Sequence, residues 1–170
     1  MFRRAFHTTV TAMGSSVSAR SVFQNSCYHK IDFRILDTST AREAINQFTA
    51  FNVGCLTVVN AENKIVGVCS ERDYIKKVAS LDLNPTEVKV KDICTPGSQI
   101  IFARANDSLE TCMNKMLVKD IRHLILMDGD QCIGMISVKD LTKQIMKDNN
   151  ETIARLCDFG LGKGAFFGSE

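Results

Sequence analysis

What this 170-residue chain has little of sets the first bounds. Two prolines and ten glycines are too few for a loop-rich or low-complexity chain, so regular structure is dense. No run approaches 18 consecutive apolar residues, which excludes a membrane-spanning helix. A hydrophobic content of 45% is too high for bulk disorder. One soluble domain, or a tight pair of small ones, remains. Cys-x-x-Cys pairs are absent: Cys27, Cys55, Cys69, Cys94, Cys112, Cys132 and Cys157 lie 14 to 28 residues apart. Neither a disulfide scaffold nor a zinc site is expected, and a reducing compartment is. His-x-Glu, His-Glu-x-x-His and carboxylate clusters are missing as well, so no metal is assigned.

Acidic residues are absent before Asp32, while Arg3, Arg4, Arg20 and Lys30 supply charge and Ser and Thr recur. That is the composition of a transit peptide. Wound as a helix, Phe2, Phe6, Val10 and Met13 share one face, and Arg3, Arg4 and His7 lie away from it, a pattern suited to mitochondrial import. Residues 1–24 are therefore expected to be a mitochondrial transit peptide, processed near Arg20 to Phe23, with the matrix as destination. The alternative is a disordered basic arm on a cytoplasmic protein. Without Arg3, Arg4 and Arg20 the net charge falls from +2 to about −1, and no basic stripe remains to bind nucleic acid.

The rest of the chain is organised by an internal repeat. The helical stripe Ala41, Ala44, Ile45, Phe48 recurs 68 residues later as Leu109, Cys112, Met113, Met116. The strand-like run Val53-Gly-Cys-Leu-Thr-Val-Val-Asn60 recurs as Ile121-Arg-His-Leu-Ile-Leu-Met-Asp128. After turns that differ by one residue, Ile65 to Tyr74 overlies Cys132 to Leu141, with Gly67/Gly134, Ser70/Ser137 and Asp73/Asp140 in register. Each unit reads strand, helix, strand, hairpin, strand, helix. A unit of this size buries too little surface alone, so two copies are expected to pack as a pseudo-twofold module. The expected divisions are a first repeat at 28–80, a linker at 81–87, a second repeat at 88–148 and a tail at 149–170, with one short extra helix within 148–157.

Gly-x-x-Ser-x-x-Asp, present twice, is the strongest local signal. Ser-x-x-Asp at a helix start is also a capping box, as Thr40-x-x-Glu43 and Asp107-x-x-Glu110 are read here. Cap and ligand site stand level on Ser and Asp alone. The preceding Gly favours a ligand, because a missing Cβ lets one approach the backbone, and a helix N-terminus offers N–H groups to hydroxyls or phosphates.

The two Gly-x-x-Ser-x-x-Asp motifs, the strand starts Val53-Gly-Cys-Leu and Ile121-Arg-His-Leu, and the run Val-Lys-Asp-Ile-Cys-Thr-Pro at 90–96 resemble a tandem CBS-domain pair, or Bateman module, over about residues 28 to 148. The resemblance implies an α/β (α+β) fold of two β-α-β-β-α repeats, each with a three-stranded sheet. It also implies a non-enzymatic regulatory module that binds AMP, ADP, ATP, S-adenosylmethionine or NADH between the repeats. No catalytic cofactor and no catalytic residue are implied. By position, Asp73 and Asp140 would accept from ribose hydroxyls, with Ser70 and Ser137 beside them at Gly67 and Gly134. Gly54, Cys55, Arg122 and His123 would line base or phosphate positions, and Arg72 and Lys139 would neutralise phosphate; a solvated helix face is the alternative for these two. The Arg122-His123 pair makes the second cleft the more basic one, and the first repeat lacks a good copy of the 90–96 run. The resemblance further implies a homodimer through helical faces and an output to a client in trans, a redox enzyme such as a thioredoxin being the first class to test.

Two other functions compete. A structural or interaction module would use both Ser-x-x-Asp pairs as caps alone. A cysteine enzyme would pair His123 with Cys55 or Cys132, although cysteine on a strand is more often a small buried hydrophobe. The tail run Gly160-Leu-Gly-Lys-Gly164 matches no phosphate-loop pattern. Phe166 and Phe167 are open to a client, a second protomer or the module itself.

Overall fold

Apolar residues at helical spacing and two β-rich runs per repeat form the elements their patterns require. The computed structural model describes residues 17–160. The described chain begins with α1 (Ala19–Gln24) and a 3-10 turn (Cys27–Lys30). The first repeat follows as β1 (Arg34–Leu36), α2 (Ala41–Phe51), β2 (Cys55–Val59), β3 (Ile65–Ser70) and α3 (Glu71–Lys77). After α4 (Val90–Ile93) and β4 (Thr95–Pro96), the second repeat runs β5 (Phe102–Arg104), α5 (Leu109–Val118), β6 (His123–Asp128), β7 (Gln131–Ser137) and α6 (Val138–Gly160).

In each repeat a helix crosses over to join a parallel strand pair, β1 with β2 and β5 with β6, and a hairpin adds the third, antiparallel strand. Both ladders slip at equivalent points, between Val58 and Val59 and between Leu126 and Met127, so the repeat extends to its irregularities. The second hairpin closes through Gly129 at φ +57°, a left-handed position that glycine adopts without strain. All of β2 and the Leu124-Ile125-Leu126 stretch of β6 are buried, and one apolar cluster runs through both repeats. Ala41, Ala44 and Phe48 are buried on α2, and Cys112 and Met116 on α5, which is the expected stripe.

Helix α2 starts with the expected box: the Glu43 amide donates to Thr40 Oγ1 at 3.2 Å and the Thr40 amide to Glu43 Oε2 at 2.7 Å. The expected cap at Asp107 lies one residue early. Ser108 caps α5, accepting from the Thr111 amide at 3.1 Å, while Asp107 accepts from the Arg104 amide and from Lys115. The expected short helix at 148–157 is the continuation of α6.

Residues 17–24, grouped with the leader by composition, are placed inside the fold. The Ala19 amide donates to the Asp107 carbonyl, Arg20 to Ala105, and Leu109 to the Val17 carbonyl. In the other copy Val90 donates to Ser39, Lys91 to Asp37, and Ala41 to Val88. These are the same three bonds, shifted by 71 residues on the arm and 68 on the loop. Each repeat therefore has a short helical arm, α1 or α4, that packs on the opposite repeat: α1 against β7, α5 and α6, and α4 against α3 and β3. Ala19, Val22 and Phe23 are buried, and Arg20 forms an ion pair with Asp128. The missing copy of the 90–96 run is this arm, and a boundary at residue 24 would divide it from the repeat it completes. The basic amphipathic run from Phe2 to Met13 and the tail residues Phe166 and Phe167 lie outside the described residues.

The two arms then diverge. Thr95 and Pro96 continue as β4 along β3, making the first sheet four-stranded in the order β1-β2-β3-β4, whereas the second stays at three, β5-β6-β7. Nine residues separate Phe23 from Phe33 where six separate Cys94 from Ile101, and the extra length forms the 3-10 turn.

Candidate functional site

Helices α3 and α6 begin at the two Ser-x-x-Asp motifs, and both motifs form complete caps. Asp73 Oδ2 accepts from the Ser70 amide (3.0 Å) and hydroxyl (2.6 Å), and Ser70 Oγ accepts from the Asp73 amide at 3.3 Å. Asp140 Oδ2 accepts from the Ser137 amide (2.8 Å) and hydroxyl (2.6 Å), with the return bond at 3.3 Å. Capping and ligand binding are thus not exclusive at Asp73: Oδ2 caps, while among the described residues Oδ1 meets only Lys77 Nζ, at 3.4 Å. The first helical amides, Glu71 and Val138, donate to the Gly54 and Arg122 carbonyls at 3.1 and 2.9 Å. The expected supply of free N–H groups at these helix starts is therefore mostly taken up inside the chain.

A cavity of about 220 Å³ opens over α3 and is walled by both repeats. The first repeat contributes Cys55, Val68, Ser70, Arg72 and Asp73; the second contributes Asp120, Arg122, His123, Ile125 and Met135; the α4 arm and its continuation contribute Thr95, Gln99, Ile100 and Ile101. Arg72 reaches Asp120 at 3.6 Å across the repeat boundary. Burial, and then the Arg122 guanidinium, lower the His123 pKa to about 4, so this imidazole is neutral at physiological pH. Burial pushes the Cys55 and Cys69 thiols up, Cys69 to about 12, the opposite of nucleophile activation. Cys132 is likewise raised by burial.

The pseudo-equivalent cleft over α6 has a different interior. Asp140 is only 6% exposed, and its Oδ2 also accepts from Ser26 Oγ at 3.0 Å. Tyr28 is 2% exposed and packs edge-on against His123 and Phe33, with ring centroids 6.0 and 6.4 Å apart. What remains is a hollow lined by Cys27, Tyr28, Asn52, Val53, Gly54, Arg122, His123, Ser137, Val138 and Lys139, which does not reach Asp140.

The expected site residues therefore sort unevenly. Ser70, Arg72, Asp73 and Cys55 share the first cavity; Gly54, Ser137 and Lys139 share the second; Arg122 and His123 wall both. Arg122 and His123 face the first cavity too, beside Arg72, but there Asp73 and Asp120 balance the two guanidiniums, whereas the second hollow adds Lys139 and, among the described residues, no carboxylate and so keeps the more basic lining expected of it. Gly67 and Gly134 line neither. Their missing Cβ atoms admit the arms, since a methyl on Gly67 would fall 2.7 Å from the Thr95 carbonyl oxygen and one on Gly134 2.2 Å from the Phe23 ring. Sequence reasoning missed Asp120, Gln99, Ile100 and Ile101; the linkage of the 90–96 run to the strand after it was the signal for the last three.

Two segments of the chain, 33–80 and 90–147, match the family model described as CBS domain, and the chain belongs to that family. It is 29% identical over 119 residues to the CBS domain-containing protein CBSX3, mitochondrial, of Arabidopsis thaliana, covering 69% of this chain and 58% of the relative. The chain thus spans a little over half the length of that relative. A CBS-domain structure from Burkholderia ambifaria superposes with a TM-score of 0.71 at 26% identity, covering 78% of this chain and 96% of the other. Two more distant structures carry ligands. A CBS domain protein from Pyrobaculum aerophilum is complexed with AMP (TM-score 0.57, 23% identity, 63% of this chain and 80% of the other). A further CBS domain pair is in complex with 5′-methylthioadenosine and S-adenosyl-L-methionine (TM-score 0.66, 17% identity, 78% and 98%). Among the described residues no helix is long and apolar enough to cross a membrane, and no cluster of three metal-ligating side chains occurs.

Proposed function

We propose that this protein is a non-enzymatic regulatory module that binds an adenosine-bearing ligand in the cavity over α3 and passes the signal to a partner protein in trans. The observation that carries this is Asp73, which lines a cavity built from both repeats and flanked by Arg72 and Arg122. A carboxylate there accepts from two ribose hydroxyls, and the guanidiniums meet phosphate. Because the walls come from both repeats and one arm, a bound ligand favours one spacing of the repeats, and a partner sensitive to that spacing reads the ligand. AMP, ADP, ATP, S-adenosylmethionine and NADH are the candidates; the ligand-bearing relatives support the adenosyl class. The leader composition and the mitochondrial relative support import into mitochondria. Exposed Leu117 and Val118 on α5 and Met146 on α6 support a homodimer through helical faces, with a redox enzyme as the first client class to test.

The complete caps at Ser70 and Ser137 favour one second reading, a structural module without a nucleotide. Thermal-shift measurements of the full chain against the five compounds separate the two. A ligand at a hundredfold its Kd stabilises the fold by about 2.7 kcal/mol. Asp73→Asn keeps a side-chain oxygen to accept from the Ser70 amide yet loses the charge, and is expected to weaken binding by about ten- to a hundredfold. If no compound moves the wild-type midpoint, the cap reading stands.

A further inference from the structure

The two clefts occupy equivalent places, but only in the first does the motif aspartate line the hollow between the repeats; Asp140 borders instead a separate hollow against α1, with Val22, Asn25 and Lys143. Over α6, the three residues by which the first arm exceeds the second bring Ser26, Cys27 and Tyr28 into the space between the repeats. Ser26 bonds Asp140 at 3.0 Å, in the manner expected of a ribose hydroxyl. Tyr28 lays an aromatic ring against His123, where a base would stack, and its amide donates to Ser26 Oγ at 3.2 Å, fixing the turn. Phe23 closes the floor over Gly134.

Resting on the proposed function for the first cleft, we infer that Ser26 and Tyr28 are a built-in occupant of the second, so that each chain binds one adenosyl ligand and not two. The hydroxyl of Ser26 stands in for the ribose and the ring of Tyr28 for the base. The imitation is incomplete, because the buried Tyr28 hydroxyl lies beside the Cys55 backbone without a well-formed hydrogen bond among the described residues, an arrangement that costs stability. The cleft is thus latent, and shortening Tyr28 exposes it.

Calorimetric titration of the full chain with AMP tests this. One equivalent per chain is expected, weakened about ten- to a hundredfold in Asp73→Asn and kept in Asp140→Asn with affinity changed less than about twofold. Tyr28→Ala is expected to bind a second equivalent. Two equivalents in the wild type, or loss of binding in Asp140→Asn, overturn the inference whether or not Tyr28→Ala folds. If the wild type binds no AMP, the proposed function fails for that ligand, and the occupant is judged separately by acetylation of native tyrosines with N-acetylimidazole. The chain has two, Tyr28 and Tyr74. Protection of Tyr28 relative to Tyr74 supports a seated occupant, and equal modification of both overturns it.

Discussion

The clefts over α3 and α6 share a motif, a cap and a fold, and each leaves a hollow of about 220 Å³, yet only the first is lined by its motif aspartate. At the first, the arm runs on as β4 beside β3 and leaves the space above Asp73 open. At the second, the arm turns inward and places Ser26 on Asp140. The motif therefore sets the helix start in both copies, and the length of the arm between Phe23 and Phe33 accompanies the difference in which motif aspartate lines a hollow between the repeats. A Ser-x-x-Asp pair locates a cleft; the segment in front of it shapes the lining of that cleft.

The largest effect expected concerns the arms. Compared with a chain beginning at Val17, one beginning at Gln24 loses buried Ala19, Val22 and Phe23 and should lose about 5 kcal/mol or more, most of a domain's stability. Urea denaturation distinguishes the two, and equal midpoints would show that α1 does not belong to the fold.

Acid should act through His123, which walls both cavities. His123 is held neutral with a pKa near 4 against about 6.5 unfolded. The unfolded state therefore binds more protons between those values, and stability falls as pH drops from about 6.5 to 4. The contribution is at most about 3 kcal/mol. Denaturation midpoints at pH 7 and pH 4.5 measure it, and His123→Gln should flatten the difference.

Smaller still is the contrast between the motif glycines. Gly67→Ala and Gly134→Ala each overpack, costing about 1–3 kcal/mol. The obstacle is a carbonyl at Gly67 and a side chain at Gly134, so Phe23→Leu should recover part of the loss at Gly134 and none at Gly67. A double-mutant cycle reads this coupling. The smallest effect is at Asp120, whose side chain is almost fully solvated and pairs with Arg72 at 3.6 Å. Asp120→Asn should change stability by under about 1 kcal/mol while freeing Arg72 for phosphate, raising AMP affinity by up to about fivefold; an unchanged Kd would remove Arg72 from the site.

By itself the sequence determined the repeat, the order of its elements, the helical stripes of α2 and α5, and the position of Asp73 and Asp140 at helix starts. These are local or periodic properties: apolar spacing selects the buried face, and Ser-x-x-Asp caps a helix wherever it lies. It misread residues 17–24, because a basic, acid-free stretch has leader composition even when three of its side chains are buried, and composition does not see burial. Only the tertiary structure decided that the arms cross to opposite repeats, that the motif glycines serve those arms, and that Arg122 reaches the first cavity. It also decided that Tyr28 lines the second. The physical reason is common to all four: each depends on which segments meet across the interface between the repeats, where pairs such as Ser26 and Asp140 are 114 residues apart, and no local pattern encodes such a meeting.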